Sequence, residues 1–168
     1  MTDTVNAATD TIHDADHDAT APPAGLELVI TRVLDAPRAL VYRAFTDPDH
    51  IARWIGPKGF TATRTEGSVT PGGAWRSCVR SDSGDTEYWS SGVYREVVEL
   101  ERLVYTFAWE EPVGTPGRET LITVTLADQD GKTMMTFRQS PFESVEDRDG
   151  HVEGWSQAFD DLAAHLAA

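Results

Sequence analysis

The sequence is poor in several residue types, and each shortage excludes a class of protein. A single cysteine, Cys78, stands among 168 residues, which excludes an intramolecular disulfide and a cysteine-based zinc site. No apolar run approaches the roughly 18 residues that a membrane-spanning helix needs. Positive charge is also scarce, because 14 Lys and Arg face 28 Asp and Glu, for a formal net charge of −14. Nucleic acids and anionic membranes attract basic surfaces, so we expect neither as a partner.

Motifs of familiar active sites are missing as well. The sequence contains no G-x-S-x-G or H-E-x-x-H pattern, and no Ser-His-Asp or Cys-His order stands out. His13 and His17 lie four residues apart among aspartates, a spacing that would suit zinc or nickel if a helix formed there. Nothing in that segment favours a helix, so solvated side chains are the better interpretation. We expect no metal and no cofactor.

Residues 1–25 differ in composition from the rest of the chain. They contain five aspartates, no Lys or Arg and no aromatic residue, and they include Pro22 and Pro23 near their end. Such a segment buries too little apolar surface to offset the entropy lost on ordering. It also lacks the basic and apolar regions of a secretory signal. The sequence predicts a disordered acidic tail over 1–25 of a cytoplasmic protein, followed by one folded domain over 26–168.

From Leu26 onward, hydrophobic patterns and turn residues predict regular elements. The predicted strands are Leu26–Leu34, Phe60–Glu66, Ala74–Arg80, Glu87–Val98, Leu103–Trp109, Glu119–Leu126 and Thr133–Gln139. Two short helices are expected between the first two strands, the second with Asp47 as N-cap and carrying Trp54. A long amphipathic helix begins after Ser144. Short connections predict an antiparallel sheet, so we expect an α+β fold in which the terminal helix covers a curved sheet of about seven strands.

Four stretches, in this order, carry a resemblance to a known superfamily. They are DAPRALVYRAFTDPDHIARWIGPKGF (35–60), VTPGGAW (69–75), GVYREVVELERLVYTF (92–107) and SVEDRDGHVEGWSQAFDDLAAHLA (144–167). They resemble the START-like (SRPBCC) superfamily, and within it the bacterial branch similar to the C-terminal domain of the activator of heat shock protein 90 ATPase. The resemblance implies a helix-grip fold, with a curved antiparallel sheet around the long helix and a cavity between them. It also implies that two copies can pair as a homodimer.

Aromatic residues recur on the faces expected to line this cavity. The predicted lining residues are Trp54, Trp75, Ser77, Val79, Tyr105, Phe107, Trp109, Phe137, His151, Trp155 and Phe159. Ser77 stands where members of the superfamily often carry a bulky apolar residue, which would widen the cavity and add a hydroxyl. A cavity lined by aromatic rings suits a small apolar or aromatic molecule. The same stripes also build ordinary cores, and the pattern alone does not separate the two.

Two other functions are compatible with this fold. A polyketide cyclase or aromatase would need an acid–base pair in the cavity. His151 is the candidate catalytic residue, and the side chains that could face it are Glu66, Arg80, Glu87 and Tyr88; a packing histidine is the alternative. The other function is that of a co-chaperone acting on a heat shock protein 90 ATPase. Because no catalytic constellation is visible, we expect a protein that binds a small molecule rather than an enzyme.

Overall fold

The computed structural model describes residues 25–168. Residues 1–24, which hold nearly all of the expected tail and the His13 and His17 pair, lie outside the described part. The described elements, in chain order, are β1 (Leu26–Leu34), α1 (Arg38–Thr46), α2 (Pro48–Ile51), β2 (Phe60–Gly67), β3 (Ala74–Ser81), β4 (Glu87–Val98), β5 (Arg102–Trp109), β6 (Thr120–Gln129), β7 (Lys132–Phe142) and α3 (Val145–Ala167). No helix in this part of the chain is both long enough and apolar enough to cross a membrane.

The strands form one antiparallel sheet in the order β1-β7-β6-β5-β4-β3-β2. Each strand from β2 to β6 pairs with the next in sequence, as hairpin connections require, and β1 pairs with β7. The β6–β7 turn has positive φ at Asp130 (53°) and Gly131 (84°), the conformation that a tight hairpin turn favours. The predicted α+β architecture, a curved antiparallel sheet with a long C-terminal helix, is confirmed.

Helix α3 begins where its capping residue predicts. The Ser144 hydroxyl accepts a hydrogen bond from the Asp147 backbone N–H at 3.1 Å, and acidic side chains occupy the first turn. Along the helix, Phe159 and Leu162 are fully buried. At the β1 edge of the sheet, the Arg32 guanidinium donates a hydrogen bond to the Asp160 carboxylate of α3 at 2.7 Å. Helix α3 therefore packs chiefly against β1, with smaller contacts to α1 and β7.

The second short helix ends earlier than predicted. Asp47 caps it by accepting from the Asp49 N–H at 3.0 Å, but the helix stops at Ile51. The N–H groups of Arg53 and Trp54 then donate to carbonyls three residues back, which tightens the chain and ends the α-helix. Trp54, predicted on the helix, therefore lies in the turn that follows it.

Candidate functional site

A cavity of about 530 Å³ lies between α3, the segment that connects α2 to β2, and the face of strands β2–β5. It exists because α3 packs chiefly against β1, at the opposite edge of the sheet. The strands near the other edge are therefore left without close helix cover. The volume is within the range of ordinary small-molecule sites.

Most of the residues predicted to line a cavity lie in the wall of this one. They are Trp54, Trp75, Ser77, Val79, Tyr105, Phe107, Trp109, His151 and Trp155. Phe137 and Phe159 are not in the wall, and their side chains are fully buried. Their ring centroids lie 4.7 Å and 5.8 Å from that of Trp155, which separates them from the cavity. Periodicity identifies the face that a residue occupies, but not which aromatic ring covers another.

Four tryptophans line the cavity, and each directs its indole N–H into the protein. The acceptors are the Ala44 carbonyl for Trp54 (2.9 Å), the Thr106 carbonyl for Trp75 (3.1 Å), His151 Nε2 for Trp109 (3.1 Å) and Gln139 Oε1 for Trp155 (2.8 Å). Buried indole N–H groups generally find such partners. These side chains therefore present ring surface to the cavity rather than hydrogen-bond donors.

Trp75 is held by an irregularity between β4 and β5. Gly92 and Val93 have no paired residue on β5, and the Val93 N–H donates to the Thr106 hydroxyl at 2.9 Å. A Cβ added at Gly92 would lie 1.8 Å from the Thr106 carbonyl oxygen and 2.6 Å from the Trp75 indole nitrogen. Only glycine fits this position. Gly92 lies inside the predicted strand Glu87–Val98, and a glycine in such a position is the sequence signal for a close approach of another backbone or side chain.

Ser77 is one of several polar residues in the wall. Its side chain is only 7% exposed, and its hydroxyl has no hydrogen-bond partner among the described residues. Ser90, its neighbour across β3 and β4, also lines the cavity. A buried hydroxyl without a partner costs about 1–3 kcal/mol. Such a group is uncommon in a native structure and calls for a physical explanation.

Two tyrosines contribute a further part of the wall. The rings of Tyr94 and Tyr105 have centroids 5.5 Å apart. Burial raises the pKa of Tyr94 to about 12 and also raises the pKa of Tyr105. Both hydroxyls therefore keep their protons at neutral pH. The sequence prediction included Tyr105 but missed Tyr94 and Ser90, because it assigned no face to β4; the alternation of that strand was the available signal.

His151 lies at the start of α3 with both ring nitrogens engaged. Nε2 accepts the indole proton of Trp109 at 3.1 Å, and Nδ1 lies 2.9 Å from the Asp147 carbonyl. An indole nitrogen can only donate, so Nε2 is the unprotonated nitrogen and Nδ1 donates to the carbonyl. The side chain therefore joins β5 to α3.

The side chains expected to face His151 are mostly placed elsewhere. Glu66 lines the cavity, whereas Arg80, Glu87 and Tyr88 do not. Arg80 and Glu87 pair with each other at 4.0 Å on the surface. Tyr88 is 45% exposed, with its ring centroid 6.0 Å from that of Trp109. Arg80 and Glu87 therefore lie outside the cavity that His151 lines. The alternation of a strand does not by itself show which of its two faces is turned toward α3, so the sequence could not exclude these residues.

The charged side chains in the wall are mainly acidic. Four exposed carboxylates form what we call the acidic rim: Glu66, Glu146, Asp147 and Glu153. Arg76 also lines the cavity, but its guanidinium donates to both carboxylate oxygens of Glu110, at 2.9 Å and 2.8 Å. These bonds, with one from the Gly114 N–H, lower the pKa of Glu110 to about 2. Within the described residues, no cluster of three or more His, Cys, Asp or Glu side chains is arranged to hold a metal ion.

Comparison with known proteins agrees with this architecture. Among solved structures, a protein from Chromobacterium violaceum is 28% identical, with a TM-score of 0.73 over 83% of this chain and 96% of that one. The AHSA1 protein from Silicibacter pomeroyi is 21% identical, with a TM-score of 0.75 over 84% and 98% of the two chains. A protein from Arthrobacter aurescens is 24% identical, with a TM-score of 0.76 over 88% and 91%. The search of curated proteins gives no match.

The family model matches nearly the whole of the folded part. The model for "Activator of Hsp90 ATPase homolog 1-like protein" covers residues 35–167. This range holds the elements that build the cavity, from α1 to α3. The predicted resemblance to the START-like superfamily is thereby confirmed, and the chain belongs to the Activator of Hsp90 ATPase homolog 1-like protein family.

Proposed function

We propose that this protein binds a small apolar or aromatic molecule in the cavity between α3 and the sheet. The observation that carries the proposal is a space of about 530 Å³ walled by four tryptophans whose indole nitrogens are all bonded within the protein. Ring surface that faces a cavity gains free energy when an apolar molecule replaces the water against it. The wall therefore suits an apolar occupant.

Part of the wall is more exposed than the core that stabilises the fold. Phe137, Phe159 and Leu162 are fully buried and fill the space under α3. By contrast, Trp109 is 37% exposed, although its ring lines the cavity beside Phe107 at a centroid distance of 5.1 Å. An aromatic ring needed only for the core would be covered, as those three side chains are. This difference favours a binding wall over a packing role.

Binding of an uncharged apolar dye tests the proposal. Nile red should bind the full chain saturably at one site, with a rise and a blue shift of its emission. Ser77→Phe places a ring inside the cavity and should weaken that binding at least about tenfold. Ser83→Phe is the matched control, because Ser83 lies in the exposed turn after β3 and should leave the affinity unchanged.

Thermal melts would establish that both variants are folded. If folded Ser77→Phe binds Nile red as tightly as the unaltered protein, the dye does not occupy this cavity and the proposal fails. Absence of saturable binding to the unaltered protein would have the same consequence.

The catalytic alternative has less support. A cyclase-like reaction needs an acid or base that is free to exchange a proton with the ligand. Both ring nitrogens of His151 are engaged, one with Trp109 and the other with the Asp147 carbonyl. The activity in the family's name concerns a chaperone ATPase, and no feature of the described residues distinguishes a surface for such a partner.

A further inference from the structure

We propose that the cavity recognises an uncharged, mainly apolar ligand through a carbonyl oxygen that accepts hydrogen bonds from the hydroxyls of Tyr94 and Tyr105. The inference rests on the proposed function and adds the chemical group by which the ligand is selected. It combines three features of the two tyrosines: their adjacent positions in the cavity wall, their lack of a partner within the protein, and their protonated state.

Tyr94 and Tyr105 lie side by side on one face of the sheet. They are paired across β4 and β5, and side chains at paired positions of antiparallel strands leave the same face about 5 Å apart. Their ring centroids are 5.5 Å apart, and both residues line the cavity. Tyr105 also meets Trp75 edge-on at a centroid distance of 6.0 Å, which limits the movement of its ring. The two hydroxyls therefore extend into the same part of the cavity.

Neither tyrosine hydroxyl has a hydrogen-bond partner among the described residues. The polar side-chain atoms that are both inaccessible and unpartnered in this part of the chain are Ser77 Oγ and Arg102 Nε, so the tyrosine oxygens keep accessible surface. Since Tyr94 is only 6% exposed, that surface faces the cavity that both residues line. Water can bind the two hydroxyls there before a ligand enters. An apolar group that displaced this water would leave both hydroxyls unsatisfied, which is unfavourable.

The other hydroxyls of the wall are placed differently. Those of Thr46 and Thr65 donate to backbone carbonyls at 2.8 Å and 2.9 Å, and Ser77 Oγ is inaccessible. Ser90 lies four residues before Tyr94 on β4, about 13 Å away at the rise of a β-strand. It therefore does not reach a ligand atom that is bound between the tyrosines. The indole N–H groups of the four wall tryptophans already donate to protein acceptors.

Both tyrosines are hydrogen-bond donors at neutral pH. Burial raises the pKa of Tyr94 to about 12 and also raises the pKa of Tyr105. Each protonated phenol donates one hydrogen bond, and a carbonyl oxygen has two lone pairs, so one carbonyl can accept from both. A site built to hydrogen-bond a polar group discriminates against an analogue that lacks the group, because its own donors are then left unpaired. The wall therefore favours a ketone, aldehyde or ester over a hydrocarbon of the same shape.

Two probes of nearly the same shape measure this preference: 2-acetylnaphthalene, which carries a carbonyl, and 2-isopropenylnaphthalene, in which a CH₂ group replaces the carbonyl oxygen. Equilibrium dialysis at neutral pH would give the dissociation constants of both probes with the full chain, with Tyr94→Phe, with Tyr105→Phe and with the control Tyr88→Phe. Each cavity variant removes only the hydroxyl oxygen and should weaken binding of the ketone relative to the alkene about fivefold. Tyr88 is 45% exposed and does not line the cavity, so its variant should change this ratio less than about twofold.

The ratio of the two dissociation constants separates recognition of the carbonyl from general damage to the cavity. If folded Tyr94→Phe or Tyr105→Phe weakens both probes equally, or leaves both unchanged, its hydroxyl does not bind the carbonyl and the inference is overturned. Thermal melts would establish that each variant is folded. Binding of Nile red without binding of the ketone overturns the inference and leaves the proposed function standing. Absence of binding by Nile red and by both naphthalene probes instead overturns the proposed function.

Discussion

The indole nitrogen of Trp109 lies 3.1 Å from Nε2 of His151 and donates its proton to it. This bond joins the end of β5 to the first turns of α3, across the edge of the cavity. Because the indole can only donate, the bond exists only while Nε2 carries no proton. His151 therefore orients a wall tryptophan, which differs from the acid–base role for which the sequence made it a candidate.

Replacing His151 with glutamine tests this orienting role. Glutamine keeps an amide oxygen that can accept from Trp109, so we expect the Nile red dissociation constant to change less than about tenfold. His151→Ala, which removes the acceptor, should weaken binding more than His151→Gln does. Fluorescence titration of the two variants provides the measurement. A larger loss of affinity for folded His151→Gln than for His151→Ala would contradict the orienting role.

Trp54 belongs to both the wall and the core. It is 3% exposed, donates to the Ala44 carbonyl at 2.9 Å and packs edge-on against Phe45 at a centroid distance of 4.9 Å. Trp54→Ala should therefore lower the free energy of unfolding by about 3–5 kcal/mol, as measured by urea titration. The control is Leu40→Ala on the neighbouring helix, where the side chain is 48% exposed and the loss should stay below about 1 kcal/mol. A loss for Trp54→Ala as small as that of the control would show that Trp54 contributes wall surface only.

The sequence predicts the elements of this fold more fully than it predicts the site. Strands β1 and β4 have the predicted bounds, Leu26–Leu34 and Glu87–Val98, because proline, glycine and polar turn residues mark their ends. Strand β7 runs past its predicted end at Gln139 to Phe142, since Ser140 still pairs with β6. Local residue types are sufficient to set such boundaries to within a few positions.

The site depends on information that periodicity does not contain. The alternation of β3 predicts the face that Ser77 occupies, but whether its hydroxyl has a partner depends on side chains from other elements. Phe159 has the helical spacing of a cavity residue, yet the ring of Trp155 stacks over it at 5.8 Å. The close approach of Trp75 to Gly92 depends on the pairing of three strands. Contacts among distant segments settle the first and the third of these points.

Gly92 should tolerate no side chain. In Gly92→Ala the added Cβ would meet the Thr106 carbonyl oxygen at 1.8 Å and the Trp75 indole nitrogen at 2.6 Å, so strands β4 and β5 must separate. We expect a loss of at least about 2 kcal/mol in the free energy of unfolding. Gly150→Ala is the matched control on α3, where nothing lies within 4 Å of the added Cβ, and it should stabilise the protein by about 0.5–1 kcal/mol. Urea unfolding of both variants measures the two changes in the free energy of unfolding, which should have opposite signs. Equal changes would contradict the close packing around Gly92.

The ion pair of Arg76 and Glu110 should make stability depend on pH in the acid range. The bonds from Arg76 lower the pKa of Glu110 from 4.5 to about 2, so between these values the unfolded chain binds more protons than the folded one. The contribution is therefore fully present above about pH 4.5 and is lost as the pH falls toward 2. In Glu110→Gln the side chain no longer titrates. The difference in unfolding free energy between the unaltered protein and Glu110→Gln should thus shrink from pH 5.5 to pH 3 in urea titrations.

The matched control for this pH dependence is Glu119→Gln. Glu119 pairs with Arg95 at 3.3 Å, but both side chains are 60% exposed, and exposed pairs contribute little to stability because solvent screens them. Its substitution should change the unfolding free energy by less than about 1 kcal/mol at every pH. A difference for Glu110→Gln that stays constant across the acid range would mean that Glu110 stabilises the fold by packing and not by its charge.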